Sequence, residues 1–137
     1  MTERDDRQDI SDLLVRYATG IDRRDWPLFR TVFTDDCELD YGVIGVWTGV
    51  DAVTDFMQQT HAMAGHTLHR LTNQTITIDG NTAAARYLRR RADHGRGQSN
   101  WRQRHWLLRR QHRSHRRRLA YRPATVHRVR VAPAGSA

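Results

Sequence analysis

Residues 66–88 have the sequence HTLHRLTNQTITIDGNTAAARYL, which contains the longest alternating pattern in the chain. Apolar and polar residues alternate from 67 to 78, as expected of a half-buried strand. Asp79-Gly80 is a tight-turn signal, and residues 82–88 follow it as a second strand. This stretch therefore predicts a long antiparallel hairpin.

Three helices and two short strands are predicted before the hairpin. The first helix has an amphipathic stripe at spacings of three and four: Ile10, Leu13, Leu14, Tyr17, Ala18 and Ile21. Asp25 is predicted to cap the second helix, with Pro27 in its first turn and an apolar face of Leu28, Phe29, Val32 and Phe33. Residues 37–41 and 43–48 alternate as strands. Residues 50–63 are predicted as the third helix, with one face made of Val53, Phe56, Met57 and Thr60. This order predicts the α+β class.

The charge of the chain changes abruptly near residue 87. Residues 1–86 contain 14 acidic residues and 8 arginines, whereas residues 87–137 contain one acidic residue and 15 arginines. A surface selected for solubility normally mixes both signs. After residue 88 the periodicity is weak, with possible strands only at Leu107-Leu108 and at residues 126–131. We therefore divide the chain into residues 1–88, with the pattern of a folded domain, and an Arg-rich segment, residues 89–137.

The whole chain of 137 residues suits one domain with a single modest core. Cys37 is the only cysteine, so no internal disulfide is possible and a reducing compartment is expected. The charged N-terminus argues against a signal peptide, and no run approaches the roughly 18 apolar residues of a membrane span. We expect a cytoplasmic protein without a membrane partner.

Asp22 and His69 are the candidate catalytic residues. A carboxylate that orients an imidazole makes a proton-abstracting pair near neutral pH. The alternative for Asp22 is a surface ion pair with Arg23 or Arg24. The alternative for His69 is a half-buried strand histidine that bonds a neighbouring hydroxyl. His66 is the rival of His69, but residues three apart in a strand point to opposite faces.

Several other side chains have a functional and a structural interpretation. Tyr17 is either a pocket residue or a core residue. On a helix it would point about 140° away from Asp22, so the two side chains can share a pocket only if Asp22 lies past the end of the helix. The large aromatic residues Trp26, Trp47 and Phe56 are either core or the lining of an apolar pocket. The spacings of His61, His66 and His69 match no compact ligand motif, so we expect no metal.

Four segments in a fixed order carry a family resemblance: DLLVRYATGIDRRDW, FTDDCELDYG, TGVDAVTDFM and HTLHRLTNQTITIDGNTAAAR. Together, over residues 9–87, they resemble the SnoaL-like family of the nuclear transport factor 2-like superfamily. This family includes polyketide cyclases, scytalone dehydratase, bile-acid dehydratases and hexachlorocyclohexane dehydrochlorinase. The resemblance implies a curved antiparallel sheet wrapped into a cone, closed on one side by three helices and containing a pocket.

The resemblance also implies functional residues. Asp22 and His69 match the catalytic pair of the enzymatic members, and Tyr17 matches a pocket tyrosine of the bile-acid dehydratase-like members. We expect Trp26, Trp47, Phe56 and Asn73 to line the substrate pocket. The expected reaction is a cofactor-independent elimination, dehydration, isomerisation or cyclisation of a small hydrophobic or polycyclic molecule. The intact fold is expected to form a homo-oligomer, either a dimer or a trimer.

The family also has a GYYDD-like strand and a DGWRIARR-like strand, and neither is present here. Residues 106–110 can be encoded TGG CTA CTA CGA CGA, which one base later gives Gly-Tyr-Tyr-Asp followed by Asp or Glu. Residues 116–122 can likewise be encoded so that the same frame gives Asp-Asp-Gly-Trp-Arg-Ile-Ala. We therefore expect residues 89–137 to be the out-of-frame remainder of the same domain, with the frame change near Tyr87.

Two alternatives to an enzyme remain. The same fold also serves as a non-catalytic scaffold that binds ligands or dimerises. Arginines interleaved with Trp101, Trp106 and Tyr121 are typical of a protein that binds single-stranded nucleic acid. A shifted frame makes that composition accidental, so no specific nucleic-acid partner is expected. We expect residues 1–86 to fold in a native-like way and the Arg-rich remainder to be poorly determined.

Overall fold

The computed structural model describes residues 2–93, 101–111 and 120–125. Within these ranges there are three α-helices and six β-strands, and a 3₁₀ turn (Gly42–Ile44) lies between the first two strands. In chain order the elements are α1 (Glu3–Arg23), α2 (Trp26–Arg30), β1 (Glu38–Asp40), β2 (Val46–Thr48), α3 (Val50–Ala62), β3 (Thr67–Asp79), β4 (Thr82–Asp93), β5 (Trp101–Gln111) and β6 (Ala120–Thr125). The predicted α+β class is confirmed.

The strands form two antiparallel sheets. β1 pairs with β2, and the larger sheet has the order β3-β4-β5-β6. The predicted hairpin forms strands β3 and β4 of the larger sheet. β4 continues to Asp93, beyond the predicted end at residue 88. The weakly indicated strand at Leu107-Leu108 lies within β5, whereas residues 126–131 lie outside the described residues.

Helix α1 lies against the start of the sheet through the stripe predicted from the sequence. All six stripe residues are buried, and a capping box between Thr2 and Asp5 begins the helix. The Ser11 hydroxyl donates to the Gln74 side chain of β3 at 3.0 Å, and Arg7 donates to the backbone carbonyl of Ile76. These contacts fix α1 along β3, so the last turn of the helix reaches the first residues of that strand.

The other two helices form where predicted, but α2 ends at Arg30, so Val32 and Phe33 of its predicted apolar face lie beyond it, although both are buried. Asp25 caps α2 by accepting from the Leu28 backbone N–H at 2.9 Å, as predicted. On α3 the prediction that Thr60 lies on the packed face is wrong, because Thr60 is exposed and His61 is buried instead. The predicted strand over residues 43–48 begins only at Val46, because the 3₁₀ turn, with Gly42 at φ 62°, occupies its first residues.

The core lies between the helices and the inner face of the large sheet. Alternate residues of β4, namely Ala83, Ala85 and Tyr87, point inward together with Trp106 and Leu108 of β5. Small alanines beside large aromatic side chains let the core fill the space between α1 and the sheet. Across the described ranges, no helix has the combination of length and apolar character that spanning a membrane requires.

Candidate active site

Asp22 and His69 lie side by side where the last turn of α1 meets the first residues of β3. The Nδ1 atom of His69 is 2.5 Å from Oδ1 of Asp22, and the backbone N–H of His69 donates to Oδ2 at 2.7 Å. The His69 side chain is fully buried, whereas 14% of the Asp22 side chain is exposed. The structure therefore brings together the two residues on which the predicted chemistry depends.

Two further residues orient the Asp22 carboxylate. Thr67, the first residue of β3, donates its hydroxyl proton to Oδ1 of Asp22 at 3.0 Å. Arg24 follows α1 in a left-handed conformation (φ 56°), and its Nη1 donates to the Thr67 hydroxyl oxygen at 3.0 Å. Asp22 thus accepts from three donors, and both of its oxygens are held.

The neighbours of the His69 ring assign its tautomer. A carboxylate only accepts hydrogen bonds, so the proton between the ring and Asp22 belongs to Nδ1. On the other side, Nη1 of Arg89 lies 3.1 Å from Nε2, and a guanidinium only donates, so Nε2 presents its lone pair. His69 is therefore a neutral imidazole whose basic nitrogen contacts a cation.

Arg89 is a partly buried cation that has no acidic partner among the described residues. It lies on β4, its Nε is buried without a hydrogen-bond partner, and none of the ion pairs in the described ranges includes it. Its charge also acts on the Tyr17 hydroxyl. A buried charge without a counter-ion costs free energy. The guanidinium of Arg89 is therefore energetically unfavourable in this partly buried position.

The hydrogen bonds around Asp22 keep it ionised. Burial alone would raise the pKa of this carboxyl group. The donors from the His69 ring, the His69 backbone and the Thr67 hydroxyl, together with the charge that His69 carries when protonated, hold the pKa of Asp22 below its ordinary value of 3.8. A carboxylate that stays charged can orient an imidazole and stabilise its protonated form.

Tyr17 lies in an aromatic cluster and is paired with a second tyrosine. Its hydroxyl is 3.0 Å from the hydroxyl of Tyr41, and its ring packs edge-on against Trp106 with centroids 5.0 Å apart. Burial raises the pKa of Tyr17 well above 10, followed by the effects of Tyr41 and Tyr87, so the phenol stays protonated. Asp22 lies within α1, one residue before its end, and not past the helix end as a shared pocket was expected to require.

The four predicted pocket residues occupy three different places. Trp47 and Phe56 stack on each other with centroids 3.6 Å apart, and both rings also contact Tyr41. Trp26 packs edge-on against Phe29 at 5.8 Å. Asn73 is exposed at a bulge in β3, with a left-handed backbone (φ 52°). Trp47 and Phe56 are therefore linked to Tyr17 through Tyr41, whereas the structure does not bring Asn73 to the Asp22–His69 pair.

The other two histidines considered as metal ligands, His61 and His66, occupy different positions. His66 is exposed and precedes β3, while Thr67 and His69 alternate inward. His61 is buried on α3, with Nδ1 2.9 Å from the carbonyl oxygen of Met57. In the part of the chain that the structure describes, no three His, Cys, Asp or Glu side chains come together as a metal site would need.

Sequence reasoning missed four residues of the site: Arg24, Thr67, Tyr41 and Arg89. The local sequence indicates Arg24 only as a surface partner of Asp22, and Thr67 only as one of the hydroxyl residues near His69. Arg89 was included in the Arg-rich segment, although inward alternation from Tyr87 would place it on the inner face. Tyr41 ends a predicted strand and lies in the FTDDCELDYG segment of the family resemblance, but neither signal indicated a contact with Tyr17.

Comparison with known proteins gives a family match and several structural matches. The model of the SnoaL-like domain matches residues 2–122, beyond the residues 9–87 that carry the motifs. Uncharacterized proteins of Mycobacterium tuberculosis and Mycobacterium bovis are 32% identical over 92 residues. The match covers 64% of this chain and 60% of each relative, so the chain spans about three fifths of their length.

Three solved structures with the same fold are each less than 25% identical to this chain. A candidate aromatic ring hydroxylase from Novosphingobium aromaticivorans has a TM-score of 0.77, with 24% identity over 91% of this chain and 88% of that chain. An NTF2-like protein with a cystatin-like fold from the same organism has a TM-score of 0.76, with 23% identity over 88% of this chain and 79% of that chain. A candidate scytalone dehydratase from the same organism has a TM-score of 0.70, with 17% identity over 96% of this chain and 94% of that chain. These likenesses establish the fold.

Proposed function

Because the chain belongs to the SnoaL-like domain family, we propose that its site is that of a cofactor-independent lyase or isomerase with an Asp–His pair as the base. The observation that carries this proposal is the 2.5 Å contact between Nδ1 of His69 and Oδ1 of Asp22. It leaves Nε2 as the basic atom of a fully buried ring. The named dehydratase among proteins of this fold is consistent with such chemistry.

The proposed step is removal of a proton from a carbon next to a carbonyl group or a leaving group. Nε2 of His69 takes the proton, and the electrons of the broken C–H bond move toward the carbonyl oxygen or expel the leaving group. Asp22 stabilises the imidazolium that forms and keeps the ring in the required tautomer. Dehydration, elimination, isomerisation and cyclisation all share this step, so these residues do not distinguish among the four reactions.

Tyr17 and Tyr41 are proposed to face the developing negative charge. One of the two hydroxyls donates to the other at 3.0 Å, so the accepting hydroxyl keeps its own proton for an oxygen of a ligand. The stacked rings of Trp47 and Phe56, which contact Tyr41, provide an apolar surface. This combination favours a small hydrophobic or polycyclic ligand with a polar oxygen.

Arg89 favours a second candidate function for the chain as it stands. Its guanidinium occupies the lone pair of Nε2, which is the atom that must accept the proton. A base in contact with a cation abstracts a proton poorly. A ligand-binding scaffold without turnover is the alternative that this contact supports.

Deuterium uptake by an apolar ketone such as 1-tetralone tests the proposed step without knowledge of the natural substrate. In D₂O, exchange at the carbon next to the carbonyl, followed by proton NMR, should be faster with the protein than without it. Asp22→Asn and His69→Ala should each lower the catalysed rate about 10²-fold. Arg89→Ala should raise it, because the lone pair of Nε2 is released.

The matched control is His66→Ala, which removes the exposed rival histidine and should leave exchange unchanged. Equal exchange in the parent chain, Asp22→Asn and His69→Ala would refute the proposed base. Binding of the ketone by Arg89→Ala without any exchange would favour the scaffold.

A further inference from the structure

The Arg24 guanidinium joins three separate parts of the chain around the Asp22–His69 pair. Nη1 donates to the carbonyl oxygen of Ile21 at 2.6 Å and to the Thr67 hydroxyl at 3.0 Å. Nη2 donates to the carbonyl oxygen of Gly65 at 3.0 Å, with Ala64 at 3.4 Å. Arg24 thus connects the end of α1, the loop before β3 and the first residue of β3.

The contact with Arg24 determines which way the Thr67 hydroxyl points. A hydroxyl group has one proton to donate and two lone pairs that accept. Since a guanidinium cannot accept, Thr67 must accept from Arg24, and its single proton is free for Oδ1 of Asp22 at 3.0 Å. Thr67 is completely buried, so water does not compete for this proton.

The backbone of Arg24 forms the C-cap of α1. Its φ of 56° is left-handed, and its N–H donates to the carbonyl oxygens of Gly20 and Ile21. The conformation directs the side chain back over the helix end, where its charge also meets the last carbonyl groups of α1.

We infer that Arg24 and Thr67 are positioning residues of the Asp22–His69 pair. Arg24 orients the Thr67 hydroxyl, Thr67 donates to the oxygen of Asp22 that also accepts from Nδ1 of His69, and the imidazole is thereby held in one rotamer and tautomer. The inference rests on the proposed function only for its effect on turnover. The hydrogen-bond chain itself exists without any substrate.

Carbon-13 NMR titration of the Asp22 carboxyl group tests this chain in the absence of ligand. Thr67→Val keeps the β-branched shape but removes the donor, so the pKa of Asp22 should rise. Thr67→Ser restores the donor and should return the pKa to its parent value. Arg24→Gly suits the left-handed backbone and should shift the proton signal of Nδ1 in His69, because the hydroxyl is no longer oriented.

Thr72→Val is the matched control, since Thr72 is an exposed residue of the same strand. Where the exchange reaction is measurable, Thr67→Val should lower kcat about tenfold with little change in KM. An unchanged Asp22 pKa in folded Thr67→Val would overturn the role of Thr67, and an unchanged Nδ1 signal in Arg24→Gly would overturn that of Arg24. If neither the parent chain nor Arg89→Ala shows exchange, the proposed function fails, while the titration still decides the positioning.

Discussion

At the scale of single residues, Asp22 occupies an unfavourable place for an acid. It lies in the last turn of α1, where the helix presents its carbonyl groups and a negative charge is disfavoured. Three donors and the nearby Arg24 guanidinium compensate for this position. An asparagine would present an amide N–H₂ group to at least one of these donors, so that two donors would face each other. The carboxylate is therefore needed in its charged form.

The pH dependence of stability should report this requirement. The pKa of Asp22 is lower in the folded protein than its ordinary value of 3.8. Its contribution to the free energy of unfolding is therefore complete above about pH 4 to 5 and is lost as the pH falls through the lowered folded value. In urea unfolding, Asp22→Asn should be less stable than the parent chain by roughly 1.5–3 kcal/mol at pH 7.

This difference between the two chains should shrink as the pH falls below 4, because protonation removes the same charge from the parent chain. Asp12→Asn, a change at an exposed acid of α1, should show no such convergence. A difference that stays constant from pH 7 to pH 3 would contradict the assignment of a charged Asp22.

At the scale of the elements, sequence periodicity predicted the features that are determined by residues close together in the chain. The stripe of α1, the cap of α2 and the β3–β4 hairpin all follow from spacing and turn chemistry. The hydrogen bonds of Arg24 and Thr67 join residues 43 positions apart, so no local pattern contains them. Thr60 was misplaced because the neighbours of α3 determine which of its faces packs. β4 continues through an arginine run that alone resembles no strand, because β3 pairs with it as far as Asp93 and β5 as far as Arg90.

Gly20 lies where α1 packs against α2, so its substitution tests how closely the two helices approach each other. A Cβ atom at this position would lie 2.9 Å from both Cα and Cβ of Phe29, which is closer than such atoms approach. Alanine is better than glycine within a helix by about 1 kcal/mol, so propensity alone predicts stabilisation. We expect Gly20→Ala instead to lower the free energy of unfolding by about 1–3 kcal/mol, because the two helices must move apart.

Comparing the thermal unfolding of Gly20→Ala with that of Thr19→Ala separates the effect of helix propensity from that of the close contact with Phe29. Thr19 is the adjacent, only partly buried helix residue, and its change to alanine gains propensity without a new close contact. A Gly20→Ala chain more stable than the parent would show that α1 and α2 do not pack this closely.

At the scale of the whole molecule, the chain beyond Tyr87 continues the larger sheet and supplies the core residues Trp106 and Leu108, yet it contains fifteen arginines and one acidic residue. β5 covers the residues expected to match the GYYDD-like strand, and β6 covers residues 120–125, which overlap the end of the second expected match at residues 116–122. Arg89, two residues past Tyr87, places a partly buried guanidinium on Nε2 of His69 without an acid partner among the described residues. We propose that residues after about Tyr87 are translated from a shifted frame.

The coding DNA decides this proposal. Read one base later from near Tyr87, it should encode a GYYDD-like strand and a DGWRIARR-like strand in one common frame. The restored chain should lose most of the fifteen arginines of residues 87–137, and with them their mutual repulsion. We therefore expect it to unfold at a higher temperature than the present chain, and its thermal midpoint to change less between about 0.1 and 1 M NaCl, where the Debye length falls from roughly 10 to 3 Å. If neither strand is encoded in the other frames, or if the restored chain is less stable, then the Arg-rich segment is native and Arg89 belongs to the site.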